Sequence, residues 1–165
     1  MNDDMLQAPE AARDGDEVVV VEGFTVRVDV GYASGHLWVA LQPGSGGAIR
    51  FGLDPLGVET TGTVAHLVVA PPGTTVRRGA PLGSVEAEKF VGPLAAPISG
   101  VVQAVNPDLA TPRRVAEDPY GTWIAEIVPA AWDEEVRQLV RGRDDVVAWF
   151  AEEVRRFRLD GVLAE

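Results

Sequence analysis

Between Gly62 and Val128 the chain is interrupted by proline or glycine roughly every eight to twelve residues, and the short segments between the interruptions carry valine. Such segments are too short for helices of several turns and suit strands of about five residues. The spacing therefore predicts a small sandwich or barrel, not alternating strands and helices. The same region contains a faint internal echo. Gly62-Thr63-Val64-Ala65-His66-Leu67-Val68-Val69 before Pro71-Pro72-Gly73 resembles Gly100-Val101-Val102-Gln103-Ala104-Val105 before Asn106-Pro107-Asp108. Two similar halves packed about a pseudo-twofold axis would produce it.

The flanking sequence extends this picture. Val18–Val21 followed by alternating Phe24, Val26, Val28 and Val30 reads as strand, as does His36 to Leu41. Asp54 followed by Pro55 predicts the cap and first turn of a short helix, because proline lacks only an N–H that has no partner there. From Ala131 the period becomes helical. Trp132, Val136, Leu139 and Val140 predict one helix ended by Gly142, and Val146, Val147, Phe150, Val154 and Phe157 predict a second, with Glu152 set to pair with Arg156. Residues 1–17 are acidic and lack apolar periodicity, so a disordered tail is expected there. The predicted organisation is that tail, a β domain over 18–130 and a helical extension over 131–165.

Composition excludes several functions. A net charge of −11 argues against a nucleic-acid partner, since phosphate binding needs a basic surface. Cysteine is absent, which removes disulfide scaffolds, thiol nucleophiles and cysteine-type zinc sites. His36 and His66 have no dense carboxylate set in sequence and are expected to serve packing, with no metal site. Ser84 and Ser99 lack a histidine in a catalytic order, so no catalytic residues are assigned. No apolar run approaches the roughly 20 residues of a membrane span, and the start Met1-Asn2-Asp3-Asp4 does not resemble a secretory signal. A cytoplasmic location away from membranes is expected.

One residue stands apart from this composition. Of 14 basic residues, Lys89 is the single lysine. A primary amine can lose its proton and be acylated, whereas guanidinium stays charged, so a lysine kept among arginines suggests amide chemistry. A coding bias toward arginine would also leave one lysine behind. Around Lys89, the charged Glu86 and Glu88 between Val85 and Val91, followed by Gly92-Pro93, predict an exposed hairpin turn.

These residues resemble the glycine cleavage H proteins, free-standing relatives of the lipoyl domains. His36-Leu37-Trp38-Val39 matches an early His-x-Trp-Val strand, and Glu86-Ala87-Glu88-Lys89 stands where the family has Glu-Ser-x-Lys. Ala96-Pro97-Ile98-Ser99-Gly100 with Val102, Val105 and Asn106 follows a third motif, and Asp118-Pro119-Tyr120-Gly121 with Trp123 a fourth. Gly73 and Gly100 lie 16 residues before and 11 after Lys89 (89 − 73 and 100 − 89), as turn-supporting glycines do in lipoyl domains. The resemblance implies a mainly β, lipoyl-domain-like sandwich of the barrel-sandwich hybrid type, with a short internal helix and C-terminal helices. It also implies lipoic acid joined covalently to Lys89, with Glu86 and Glu88 as recognition charges for a lipoate ligase or octanoyltransferase. The partners implied are a pyridoxal-phosphate glycine decarboxylase, a folate-dependent aminomethyltransferase and dihydrolipoyl dehydrogenase. The chain would be a non-catalytic carrier shuttling an aminomethyl group among them.

Departures from the family pattern leave alternatives. Ala87 replaces serine, and Lys89-Phe90-Val91-Gly92-Pro93 is closer to divergent H-like carriers that serve sulfur oxidation through heterodisulfide-reductase-like systems. An unmodified H-like binding module is the other alternative. Biotin carriers flank their lysine with methionine, whereas here Met1 and Met5 are the only methionines.

Overall fold

The computed structural model describes residues 17–164. The segment 1–16, where a disordered tail is expected, lies outside the described residues, as does Glu165. Glu17 is within them, its carbonyl accepting from the Val28 N–H at 2.9 Å.

The valine-rich start folds into a hairpin of β1 (Val18–Val21) and β2 (Phe24–Arg27). Its two-residue turn, Glu22 and Gly23, has φ of 51° and 89°, the left-handed geometry that matches the natural twist of paired strands. Six strands then form one antiparallel sheet: in spatial order β3 (Gly31–Ala33), β4 (Leu37–Val39), β5 (Ile49–Leu53), β11 (Ala125–Pro129), β10 (Gly100–Val105) and β7 (Thr75–Val76). Three more form a second sheet in the order β6 (Val64–Val69), β8 (Pro81–Ala87), β9 (Val91–Ala95). Phe51, Ile49, Ile127 and Val102 from the larger sheet share a core with Val64, Leu82, Val85 and Leu94 from the smaller, which makes the mainly β sandwich expected from the sequence. The two echoing segments become β6 and β10, one in each sheet.

Helix α1 (Pro55–Thr61) starts as its sequence predicts: Asp54 Oδ1 accepts from the N–H groups of Leu56 and Gly57, both at 2.9 Å. A short α2 (Arg114–Glu117) precedes β11. Beyond it, expectation and structure part. The predicted helix to Gly142 is only α3 (Trp132–Glu135) and a 3-10 turn to Gln138. Val140 instead exchanges two 2.9 Å backbone hydrogen bonds with Tyr32, so a bridge to β3 replaces the last helical turn. The second predicted helix forms as α4 (Arg143–Leu159), burying Val146, Phe150 and Val154 against β1, β2, Tyr32 and Tyr120. The expected Glu152–Arg156 pair does not form. Arg156 bonds Glu153 at 3.0 Å and Glu152 takes Arg155 at 2.7 Å, both spaced by three residues.

The second core is closed by a ring of hydrogen bonds. The Arg27 N–H donates to Tyr120 Oη at 3.2 Å, and the Tyr32 hydroxyl donates to the Arg27 carbonyl at 2.6 Å. Tyr120 must therefore donate to Tyr32 across their 2.7 Å contact. Burial pushes both phenols well above their ordinary range, so they keep the protons the ring requires. Tyr120→Phe removes the hydroxyl that accepts from the Arg27 N–H and donates to Tyr32, and is expected to cost about 1–3 kcal/mol, read from urea unfolding. A loss within noise would show that the ring is dispensable.

Candidate functional site

The β8–β9 hairpin places Lys89. Apolar and polar residues alternate from Ser84 to Ala87, so Val85 and Ala87 face the core while Ser84 and Glu86 face solvent, and Leu82 is also buried where the pairing with β9 is irregular between Pro81 and Gly83. The Ala87 N–H donates to the Phe90 carbonyl at 2.8 Å, which leaves Glu88 and Lys89 as the two residues of the turn. Their N–H groups donate to Thr63 and Thr61 at 2.9 and 2.8 Å, so the turn rests on the chain that leaves α1. Gly62, at φ 76°, makes this contact possible because a side chain there would strike Glu88. The turn expected from sequence is thus formed and held from below.

Lys89 is exposed, and its Nζ donates to the Glu59 carbonyl at 3.1 Å. That carbonyl is in the last turn of α1, where backbone acceptors lack helical partners and a cation is favoured. A single such bond leaves the amine reachable. Glu86 sits on the outer face in a row with His66 and Val91, and Glu88 lies over Thr63, its carboxylate 3.5 Å from the Thr63 N–H. Both glutamates are exposed.

The two glycines at family spacing are not beside Lys89. They serve the pairing of β10 with β7 and the turn before it: the Gly73 N–H donates to the Val102 carbonyl at 2.8 Å and Gly100 pairs with Val76. Gly73 is in a turn, with φ 93° and open space around it. Gly100, expected in a tight turn, instead begins β10, where a side chain would overlap the Val128 carbonyl. Close strand approach is the reason for glycine there.

A cavity of about 410 Å³ opens beside Lys89. Leu37, Leu53, Val85, Leu94, Phe90 and Phe157 supply apolar wall, with His36, α1 and Val162 completing it. Phe90 folds its ring back over Gly92, which has no side chain to obstruct it. Phe157 carries the stripe of Phe150 and Val154 one turn further. Val162 is brought beside it by the helix end: Gly161 has φ 76°, its N–H donates to Arg158 at 3.1 Å, and the Val162 N–H donates to Phe157 at 2.9 Å. This paired closure sets the residue after the glycine beside Phe157, since Leu159 at the helix end points to solvent. Phe157 reads in the sequence as packing stripe, and Val162 does not stand out there. Gly161 after Leu159 is the local signal that could have joined them.

His36 is a further residue whose role is not legible in the sequence. Buried, with φ 60°, it bonds Asp54 Oδ2 through Nδ1 at 2.9 Å and Glu153 Oε1 through Nε2 at 2.8 Å. Its ring stacks on Trp149 with centroids 4.9 Å apart. Asp54 Oδ1 already accepts from two amides, and with Asp54 ionised its Oδ2 accepts from the His36 Nδ1–H. Burial opposes the imidazolium and is the largest influence, but the hydrogen bonds and charges of Asp54 and Glu153 together outweigh it and raise the ring's pKa. Burial pushes the Asp54 carboxyl up against the pull of His36 and the amides, while Arg156 and then His36 hold Glu153 down. His66, by contrast, is exposed on β6. Trp123, part of the fourth family motif, supplies the carbonyl that accepts from Asn106 Nδ2 at 2.8 Å, and its ring lies under the Arg50 guanidinium at 4.4 Å.

Fold and site together define a class: a small β-sandwich that displays one lysine at a hairpin tip beside an apolar cavity. Residues 30–150 match the family model described as glycine cleavage H-protein, and the chain belongs to that family. A "Probable glycine cleavage system H protein" of Pyrococcus abyssi is 32% identical over 124 residues, 74% of this chain and 91% of the relative. The glycine cleavage system H protein of Micrococcus luteus is 37% identical over 101 residues, 60% of this chain and 78% of its own. The crystal structure of a glycine cleavage system H protein from Mycobacterium marinum superposes with a TM-score of 0.59 at 31% identity, covering 68% of this chain and 98% of that one. Among the described residues no helix is long and apolar enough to cross a membrane.

Proposed function

We propose that this protein is a lipoyl carrier, the H protein of a glycine cleavage system, with lipoic acid joined as an amide to Lys89. The observation that carries the reading is that the chain's only lysine occupies the tip of the β8–β9 hairpin in a member of this family. The site fits the group chemically: an exposed amine can be acylated, and the neighbouring cavity is lined mainly by side chains suited to an aliphatic arm. When bound, the lipoyl group supplies the sulfur pair that takes up the aminomethyl group of glycine from one partner enzyme and yields it to another.

The chain's own part is binding and presentation. Thr61 and Thr63 fix the turn so that Lys89 projects from a rigid element, and Glu86 and Glu88 offer charge to a lipoate ligase or octanoyltransferase. Tethering converts each delivery into an effectively intramolecular event, which raises local concentration without any catalytic group on the carrier. Partners in this reading are the pyridoxal-phosphate decarboxylase, the folate-dependent aminomethyltransferase and dihydrolipoyl dehydrogenase, and the protein works in the cytoplasm.

Intact mass after incubation with a lipoate ligase, ATP and lipoate tests the proposal. One lipoyl group is expected on the native chain and none on Lys89→Arg. A native chain left bare by several competent ligases would defeat the carrier reading. The Phe90-Val91-Gly92-Pro93 flank favours one second reading, a carrier in sulfur oxidation. Glycine-dependent bicarbonate exchange with a cognate decarboxylase separates the two, since complete lipoylation without exchange would select the sulfur role.

A further inference from the structure

The outer strands of a sheet present backbone groups that have no neighbour, and in this fold most of those edges are blunted. β6 is irregular between Val64 and His66, β9 carries Pro93, and β7 is two residues long. β3 is met by the bridge to Val140, and β2 gives the N–H and carbonyl of Arg27 to the two tyrosines. β1 has none of these devices. It is four valines in regular register with β2, without proline, charge or bulge.

The open edge is defined residue by residue. The Val28 N–H bonds the Glu17 carbonyl at 2.9 Å, and an antiparallel ladder alternates, so Val19 and Val21 also turn their backbone groups toward β2. Val18 and Val20 therefore turn theirs away, and among the described residues nothing answers them. Beside them lies a groove of about 370 Å³ between β1 and α4, its far wall made by Val147, Ala148, Arg143 and Asp144. Val20 is 74% exposed, and Ala148 is exposed across from it. Arg143 and Asp144 stand side by side on the rim, and neither has an ion pair among the described residues.

We propose that this edge is a self-association surface, on which two copies of the chain pair β1 with β1 antiparallel about a twofold axis and so join their hairpins into one continuous sheet. With Val19 on the axis, Val18 of each copy meets Val20 of the other, and both pairs exchange the backbone bonds that a single chain leaves open. Two features select a second copy as the occupant. The outward-bonding residues lie symmetrically about Val19, so the edge is complementary to itself. The rim carries one cation and one anion, Arg143 and Asp144, so a twofold also matches sign with sign. β1 and β2 precede residue 30, where the family match begins, so the surface belongs to this chain's additions and not to the shared domain. The cavity beside Lys89 is lined by other elements, and pairing therefore leaves one hairpin tip open on each copy.

Sedimentation equilibrium of the full-length chain tests the pairing. The mass is expected to approach two chains at about 200 μM and one chain below about 1 μM, with a dissociation constant of about 10 μM, because a short strand edge makes a small interface. Val20→Pro deletes one of the open N–H groups. Ala148→Arg fills the groove from α4 without touching the backbone of β1. Each is expected to raise the constant about tenfold or more, whereas Val20→Thr, which keeps the N–H, should pair as the native chain does. Ala148 is exposed on a helix, so Ala148→Arg should leave the thermal midpoint unchanged and decide the matter if Val20→Pro unfolds. A native chain of single mass at about 200 μM would overturn the proposal, as would a dimer that persists in both variants. Removal of residues 1–16 identifies the rival occupant. If those residues cover the edge, the native chain stays single and the shortened one dimerises, whereas self-association makes both dimerise alike.

Discussion

His36→Ala is expected to lower the unfolding free energy by about 3–5 kcal/mol and the thermal midpoint by roughly 10 °C, because it leaves a buried carboxylate without its partner. Asp54 has 0% exposure, and only its Oδ1 is answered by the backbone of α1. Its Oδ2 has His36 alone. Glu153 suffers less, since it keeps Arg156 and reaches solvent. Adding Asp54→Asn to His36→Ala should recover part of the loss by removing the stranded charge. Urea unfolding measures both, and a loss below about 1 kcal/mol would mean that His36 only packs, as the sequence alone suggests.

The same cluster sets a pH dependence. His36 has a folded pKa raised above its ordinary 6.5, so its contribution is complete below that value and is lost as pH rises through the folded pKa. Glu153 is lowered from 4.5, so its contribution holds above that value and is lost as pH falls through the folded pKa. Asp54 is raised, which adds a cost as its buried charge forms at higher pH. The stability gap between native protein and the double variant His36→Ala/Asp54→Asn, which carries no stranded charge, should therefore be widest between about pH 4.5 and 6.5 and narrower at about pH 9. A gap that widens toward alkaline pH would reverse the assignment.

Gly100→Val is expected to cost about 3 kcal/mol or more, with Gly73→Ala nearer 1 kcal/mol. The two glycines share a spacing about Lys89 but answer to different physics. At Gly100 a side chain would overlap the Val128 carbonyl and press on Ile127, between strands paired on both sides. Relief would require β10 and β11 to separate. At Gly73 space is open and only the φ of 93° resists a side chain. Equal effects of the two substitutions in thermal unfolding would refute that distinction.

Short-range chemistry was legible in the residues. The Asp54-Pro55 start of α1, the valine strands, the hairpin tip at Lys89 and the apolar stripe of α4 each depend on neighbours within a few positions. The helix over Trp132 to Val140 was misread for the complementary reason. Its period is real, but Val140 gains two backbone bonds from Tyr32, more than 100 residues away, and that exchange overrides a weak local preference. Arg156 likewise has carboxylates at both Glu152 and Glu153. Only the position of His36 decides that Glu153 turns inward, where Arg156 joins it.

The amino-acid sequence by itself determined that this chain makes a small β-sandwich with one acylable amine at an exposed turn, because strand periodicity, turn residues and the identity of a lone lysine are local properties. Only the tertiary structure decided what surrounds that amine. His36 meets Asp54 across 18 residues and Glu153 across 117, and Phe157 and Val162 reach the cavity from the far end of the chain. No sequence period encodes contacts at such separations. They follow from how β1, β2 and α4 bury their shared apolar faces, and the place where that packing ends beside Lys89 is set by the fold as a whole.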